Sequence, residues 1–158
     1  MKQPLFSKYD LGKVLEGKFA DGIHGAEVLI SQLEKKHYRD GADCFRLNLA
    51  EIYLEIIEGH ERPRVTVLLK NLPFLLRLMV TARSRIRGLT QHVLENPNLD
   101  PAGYFIGYAN MVLGLLAKGE KKRALALEHL NKARRILSQF GQTPRLARVD
   151  AALADLGQ

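Results

Sequence analysis

The chain has 158 residues, enough for one domain or one array of small repeats. An apolar fraction of 46% beside a charged fraction of 26% is that of a soluble globular chain able to bury a real core. With a single cysteine, Cys44, an intramolecular disulfide framework and a cysteine-based zinc cluster are excluded. The net charge of +7 is unevenly placed: residues 1–60 carry 8 basic and 10 acidic side chains, residues 61–100 carry 7 and 3, and residues 101–158 carry 9 and 4. Such asymmetry marks either an acidic partner, a nucleic acid or a membrane surface, or only a solvated face.

The N-terminal "MKQPLFSKYDLGKVLEG" has no long apolar core, so it does not read as a signal peptide. Helical spacing of apolar residues then runs along nearly the whole chain. Ile23, Ala26, Ile30, Leu33 and His37 form one such stripe. Phe45, Leu49, Ile52 and Ile56, flanked by Tyr53 and Ile57, form the next. The most apolar stretch, "VTVLLKNLPFLLRLMV", is broken by Lys70, Pro73 and Arg77 and is too short to span a membrane. The expected location is therefore cytoplasmic, with no membrane partner.

Farther on, Tyr104, Tyr108, Met111 and Leu115 give another stripe, followed by Ala126, Leu130, Ala133 and Leu137, and by Leu146, Val149, Leu153 and Leu156. No run alternates with period two for long, so the expected fold class is all-α. Asp21-Gly22 and Asp40-Gly41 read as turns. Gly59, Gly119, Gly141 and Gly157 read as helix ends. Asp100-Pro101 and Thr143-Pro144 read as an N-cap followed by a first-turn proline. Together these predict helices near 7–19, 23–37, 42–58, 63–70, 73–95, 102–118, 121–140 and 144–156.

The spacing Gly114, Ala126, Leu130, Ala133 sets small residues where two helices cross and a larger apolar residue between them, which is the pattern of a tetratricopeptide repeat. The predicted architecture is a tetratricopeptide-like superhelix of antiparallel helix pairs in a single domain, 1–158. It has a weak repeat at 7–37 (with Gly12 and Ala26), a repeat-like helix at 42–58 (with Ala50 and Tyr53), an irregular insertion at 60–100, the clearest repeat at 102–140 and a terminal helix at 144–156. Asn110 departs from the repeat pattern, where an aromatic is usual, and the closing proline comes late, at Pro144.

"RLNLAEIYLEII" (46–57), "LLKNLPFLLRLMVTARSRIRGLTQHVLENPNLDPAGYFIGYANMVLGLLAKGEKKRALALEHLNKARRIL" (68–137) and "TPRLARVDAALADL" (143–156) resemble, in order and spacing, the C-terminal helical-repeat region of bacterial class III adenylate cyclases that carry an AAA-type ATPase module. The resemblance implies a helical interaction or regulatory region outside the catalytic part. The chain has no room for the cyclase domain and no G-x-x-x-x-G-K-[ST] phosphate loop, so no catalytic residue carries over.

No catalytic motif appears elsewhere, and the chain reads as a non-enzyme with no cofactor. His24, His37, His60, His92 and His129 show no metal-ligand spacing, so no metal site is expected, and His37 reads as a packed or snorkelling residue on its helix's apolar stripe. Arg77, Arg83, Arg85 and Arg87 crowd together; they either clamp phosphates or carboxylates or pair with the acidic first half, for example Glu51, Glu55 or Glu58. Tyr53, Tyr104 and Tyr108 are candidates for a peptide-binding face, against plain core packing. Lys121, Lys122, Arg123, Lys132, Arg134 and Arg135 largely avoid the apolar stripe of their helix, as a solvated outer face does.

The function expected from all this is a scaffold or regulatory module that binds a partner's peptide or helix in a solenoid groove. The partner is a protein or peptide, acidic if the basic residues choose it. Alternatives are a basic nucleic-acid-binding protein, disfavoured because no aromatics interleave the arginines, or the detached regulatory tail of a cyclase-type signalling protein. The apolar final helix also raises homodimer formation.

Overall fold

The computed structural model describes residues 19–58, 65–141 and 143–157, and these form helices without a strand among them. In chain order they are α1 (Phe19–Lys35), α2 (Arg39–Glu58), α3 (Val65–Leu94), α4 (Tyr104–Gly119), α5 (Arg123–Leu137), a 3-10 turn (Ser138–Phe140) and α6 (Pro144–Gly157). Each helix packs on the next, and α4 also touches α2 and α6. The even-numbered helices thus lie in a row. Beside it, α3 packs on α2 and α4, and α5 packs on α4 and α6.

The buried stripes follow the apolar spacing. Ile23, Ala26 and Ile30 seat α1, Leu78, Ala82, Ile86 and Val93 seat α3, and Leu146, Val149 and Ala152 seat α6. The central α4 is buried almost all round, from Ile106 to Val112 and again from Gly114 to Ala117.

The ends of the helices differ from the sequence expectation in instructive ways. Asp21-Gly22 lies inside α1 and Asp40-Gly41 inside the first turn of α2. The reversal between them is made by His37, at φ 61°, with Tyr38 N–H donating to Leu33 C=O (2.9 Å) and His37 N–H to Glu34 C=O (2.9 Å). Lys121, at φ 60°, does the same after α4: Lys122 N–H reaches Ala117 C=O at 2.9 Å and Lys121 N–H reaches Lys118 C=O at 3.0 Å. Both are Schellman caps with a side chain where glycine is usual. Gly119, expected to end α4, is still helical. His37 is exposed, not packed on a stripe.

Asp100 does not cap α4. Its Oδ1 accepts from Ala102 N–H (2.9 Å) and its C=O from Gly103 N–H (2.7 Å), so it closes a separate turn, and Gly103 stands at the N-cap. Thr143 does cap α6, with Oγ1 accepting from Leu146 N–H at 3.2 Å ahead of Pro144. The expected insertion at 60–100 contains one continuous helix, α3, where two were expected. Pro73, whose sequence reading is a helix start or a kink, lies inside this helix, although a proline there forfeits a backbone hydrogen bond at about 3 kcal/mol. Residues 7–18 of the predicted first helix, Gly12 among them, lie outside the described residues, as do Gly59 and His60.

Candidate interaction surfaces

The α4–α5 crossing is set by glycine. A Cβ at Gly114 would stand 2.7 Å from Leu130 Cγ and 3.0 Å from Leu130 N, and one at Gly107 would stand 2.9 Å from Ile136 Cγ2. Ala126, Leu130 and Ala133 are fully buried against this seam. Gly107, one heptad before Gly114, belongs to the same contact and was missed in the sequence; its seven-residue spacing was the available signal.

Across the α2–α4–α6 row runs a charged network. Cys44, Asn48, Glu51, Glu55 and Glu58 follow each other at helical spacing along α2. From α6, Arg145 Nη2 donates to Glu51 (2.9 Å) and to Tyr108 OH (2.8 Å), and Nη1 to Tyr104 OH (3.2 Å). One turn on, Arg148 pairs with Glu51 (3.1 Å), Glu55 (3.5 Å) and Glu58 (2.8 Å). The Tyr108 hydroxyl shares its hydrogen between Asn48 Oδ1 (3.1 Å) and Glu51. Burial, and then the Glu51 charge, push the Tyr108 phenol well above its usual range, so it stays neutral. Burial also pushes the Cys44 thiol up, against an Asn48 hydrogen bond and the Arg145 charge; it is no thiolate at neutral pH. Arg145 Nε is buried without a partner among the described residues.

The sequence named the acids of this network but not their partners: Glu51, Glu55 and Glu58 bind arginines of α6, not those of α3. Tyr108 is 2% exposed and Tyr53 is fully buried, so both rings pack inside. Tyr104 is only half-buried, with its ring edge-on to Phe105 and to the exposed Phe140 at centroid distances of 6.4 and 5.5 Å.

The four arginines of α3 do not act together. Arg85 bonds to Glu27 of α1 and to Tyr53 OH (3.0 Å). Arg83 and Arg87, one helical turn apart, both approach Glu120 at the end of α4. Arg77 is exposed and joins neither group. Lys121, Lys122, Arg123, Lys132, Arg134 and Arg135 are all exposed. Among the described residues no group of three or more His, Cys, Asp or Glu is placed to hold a metal ion, and no helix is long and apolar enough to cross a membrane. No protein-family profile, curated protein or solved structure matches this chain.

Proposed function

We infer that this chain is a non-catalytic protein–protein interaction module of tetratricopeptide-like architecture, which holds a partner peptide or helix against the α2–α4–α6 row. The observation that carries the reading is the half-open Tyr104 ring, set between the exposed Phe140 and the Arg145–Glu51 pair. Apolar area next to fixed, oriented charge is what a peptide anchor needs. The row is also pre-ordered: its charges are already held by one another, so little ordering entropy is lost on binding. The close approach of Gly114 to Leu130 supports the tetratricopeptide-like arrangement of α4 and α5. A regulatory tail detached from a cyclase-type enzyme is one form of such a module, resting on the sequence resemblance alone.

The test is affinity capture from native lysate with wild type and Tyr104→Ser side by side, after nuclease treatment and washes at two salt concentrations. A discrete partner that survives both treatments, and is lost from a variant of unchanged helicity, is the expected result. A catch that disappears with nuclease or modest salt would sink the reading and favour nucleic acid instead.

A further inference from the structure

Two basic stretches that are distant in sequence meet around one carboxylate. Arg83 Nε of α3 stands 3.9 Å from Glu120 Oε1, and Arg87 Nη2 bonds to the same oxygen. From the other side, Lys122 Nζ lies 2.9 Å from Oε2. The Glu120 side chain is 11% exposed, whereas Arg83, Arg87 and Lys122 are 55%, 47% and 55% exposed. The carboxylate therefore lies beneath the cations it collects. Three cations thus meet one acid, and the exposed Lys121 and Arg123 flank Lys122 in the chain. Burial pushes the Glu120 carboxyl up, but hydrogen bonds from Lys122 and Arg87 and their charges outweigh it and hold it below its ordinary value.

Pairing with Glu120 accounts for Arg87 and Lys122 but not for the exposed Lys121 and Arg123 beside them. Exposed ion pairs contribute little. Lys122 and Arg123 open α5, where the helix dipole favours acids. Lys121 sits in the left-handed region that glycine adopts more readily. Each choice spends local stability to keep positive charge in one place.

We propose that this cluster is a second interaction surface, separate from the α2–α4–α6 row, and that it binds an acidic segment of a partner protein. Arg83 holds Glu120 only at ion-pair distance, which leaves its guanidinium fork open to a carboxylate. Lys121 and Arg123 extend the positive field on the same turn. The cluster is compact, with a carboxylate at its centre that repels a continuous phosphate backbone, and it contains no ring on which a base can stack. A run of Asp and Glu side chains, each on its own flexible stem, fits around that centre where a stiff polyanion does not.

The experiment titrates the full chain with a fluorescein-labelled oligoglutamate peptide, followed by anisotropy at physiological salt, with duplex DNA of equal charge as competitor. In the triple variant Arg83→Ala/Lys121→Gly/Arg123→Ala, peptide affinity falls by about tenfold or more. The same variant keeps its helicity, and Lys121→Gly alone melts at a higher temperature than wild type, so lost binding is not lost folding. Equal affinity in wild type and triple variant overturns the proposal. So does preferential capture by the DNA, which would make the partner a nucleic acid. Tyr104→Ser leaves peptide binding unchanged; if it abolishes binding instead, the peptide sits on the α2–α4–α6 row and this second surface fails while the first stands.

Discussion

The guanidinium of Arg145 lies over the ring of Tyr108, 3.8 Å from its centroid, and donates to the hydroxyl of the same residue at 2.8 Å. One side chain of the last helix thus touches the central helix by both its face and its edge. The Tyr108 hydroxyl in turn serves Asn48 and Glu51 of α2, so removing it leaves three partners short at once. Tyr108→Phe is expected to lower stability by about 1–3 kcal/mol, the cost of buried polar groups left unsatisfied. The check is a lower urea midpoint at an unchanged slope. Arg145→Lys also loses stability, because an ammonium supplies neither the planar stack nor the fork.

Two glycines on neighbouring helices respond in opposite directions to the same substitution. Gly114→Ala drives a methyl to 2.7 Å from Leu130 Cγ and to 3.0 Å from its backbone nitrogen, which cannot rotate away. The expected loss is about 1–3 kcal/mol, as for other overpacked sites. Gly88, within α3, has nothing within 4 Å of its Cβ position. Gly88→Ala gains about 0.5–1 kcal/mol, since glycine there only adds freedom to the unfolded chain. Thermal melts of the two variants, one below and one above wild type, check both.

What the sequence made legible follows from which signals are local. The all-helical class and the burial of Ala126, Leu130 and Ala133 rest on periodicity, and the structure has them as read. Gly141, at φ 83°, follows the helical run as read, but the turns expected at Gly22, Gly41 and Gly119 went wrong because glycine was taken as a stop signal. His37 and Lys121 take the left-handed position, while Gly22, Gly41 and Gly119 stay helical, because the following helix and its packing decide where a helix must end. The charge partners were illegible for a different reason. Glu51 meets Arg145 and Arg148 across more than ninety residues, and Arg87 meets Glu120 across thirty-three. Only the stacking order of the helices creates those pairs, and composition does not encode it.

Asp43 is a buried acid with two obligations. Its Oδ1 accepts from Arg46 at 2.7 Å within α2, and its Oδ2 accepts from Asn96 Nδ2 at 2.6 Å in the turn after α3. At 1% exposure it has no water to fall back on. Asp43→Ala leaves the guanidinium of Arg46, itself 6% exposed, with Glu34 of α1 as its remaining carboxylate and Asn96 without its acceptor, and is expected to lower stability by about 1–3 kcal/mol. The double variant Asp43→Ala/Arg46→Leu recovers part of that loss, because the buried guanidinium is then gone and Glu34, 45% exposed, is left to water. Urea denaturation of the two variants decides: no recovery in the double variant would mean that the Asn96 contact, not the ion pair, carries the effect.

His129 sets a pH dependence of definite sign. Its Nδ1 lies 2.9 Å from Asn110 Oδ1, and Asn110 in turn donates from Nδ2 to Ile106 C=O at 2.7 Å, which fixes the amide and makes Nδ1 the protonated nitrogen. Asn110 thus stands where a repeat aromatic was expected, and a histidine from α5 completes it. Burial lowers the pKa of His129; Glu128 opposes this and Lys132 adds to it. With the folded value below the usual value of about 6.5, the unfolded chain binds more protons in the interval between the two. Stability therefore declines as the pH falls through about 6.5, and the decline ends once the pH is below the folded value. His129→Gln, which keeps an amide donor for Asn110, is expected to lose less stability between pH 7 and pH 5 than wild type does. Equal losses in the two proteins would assign the acid sensitivity to groups other than His129.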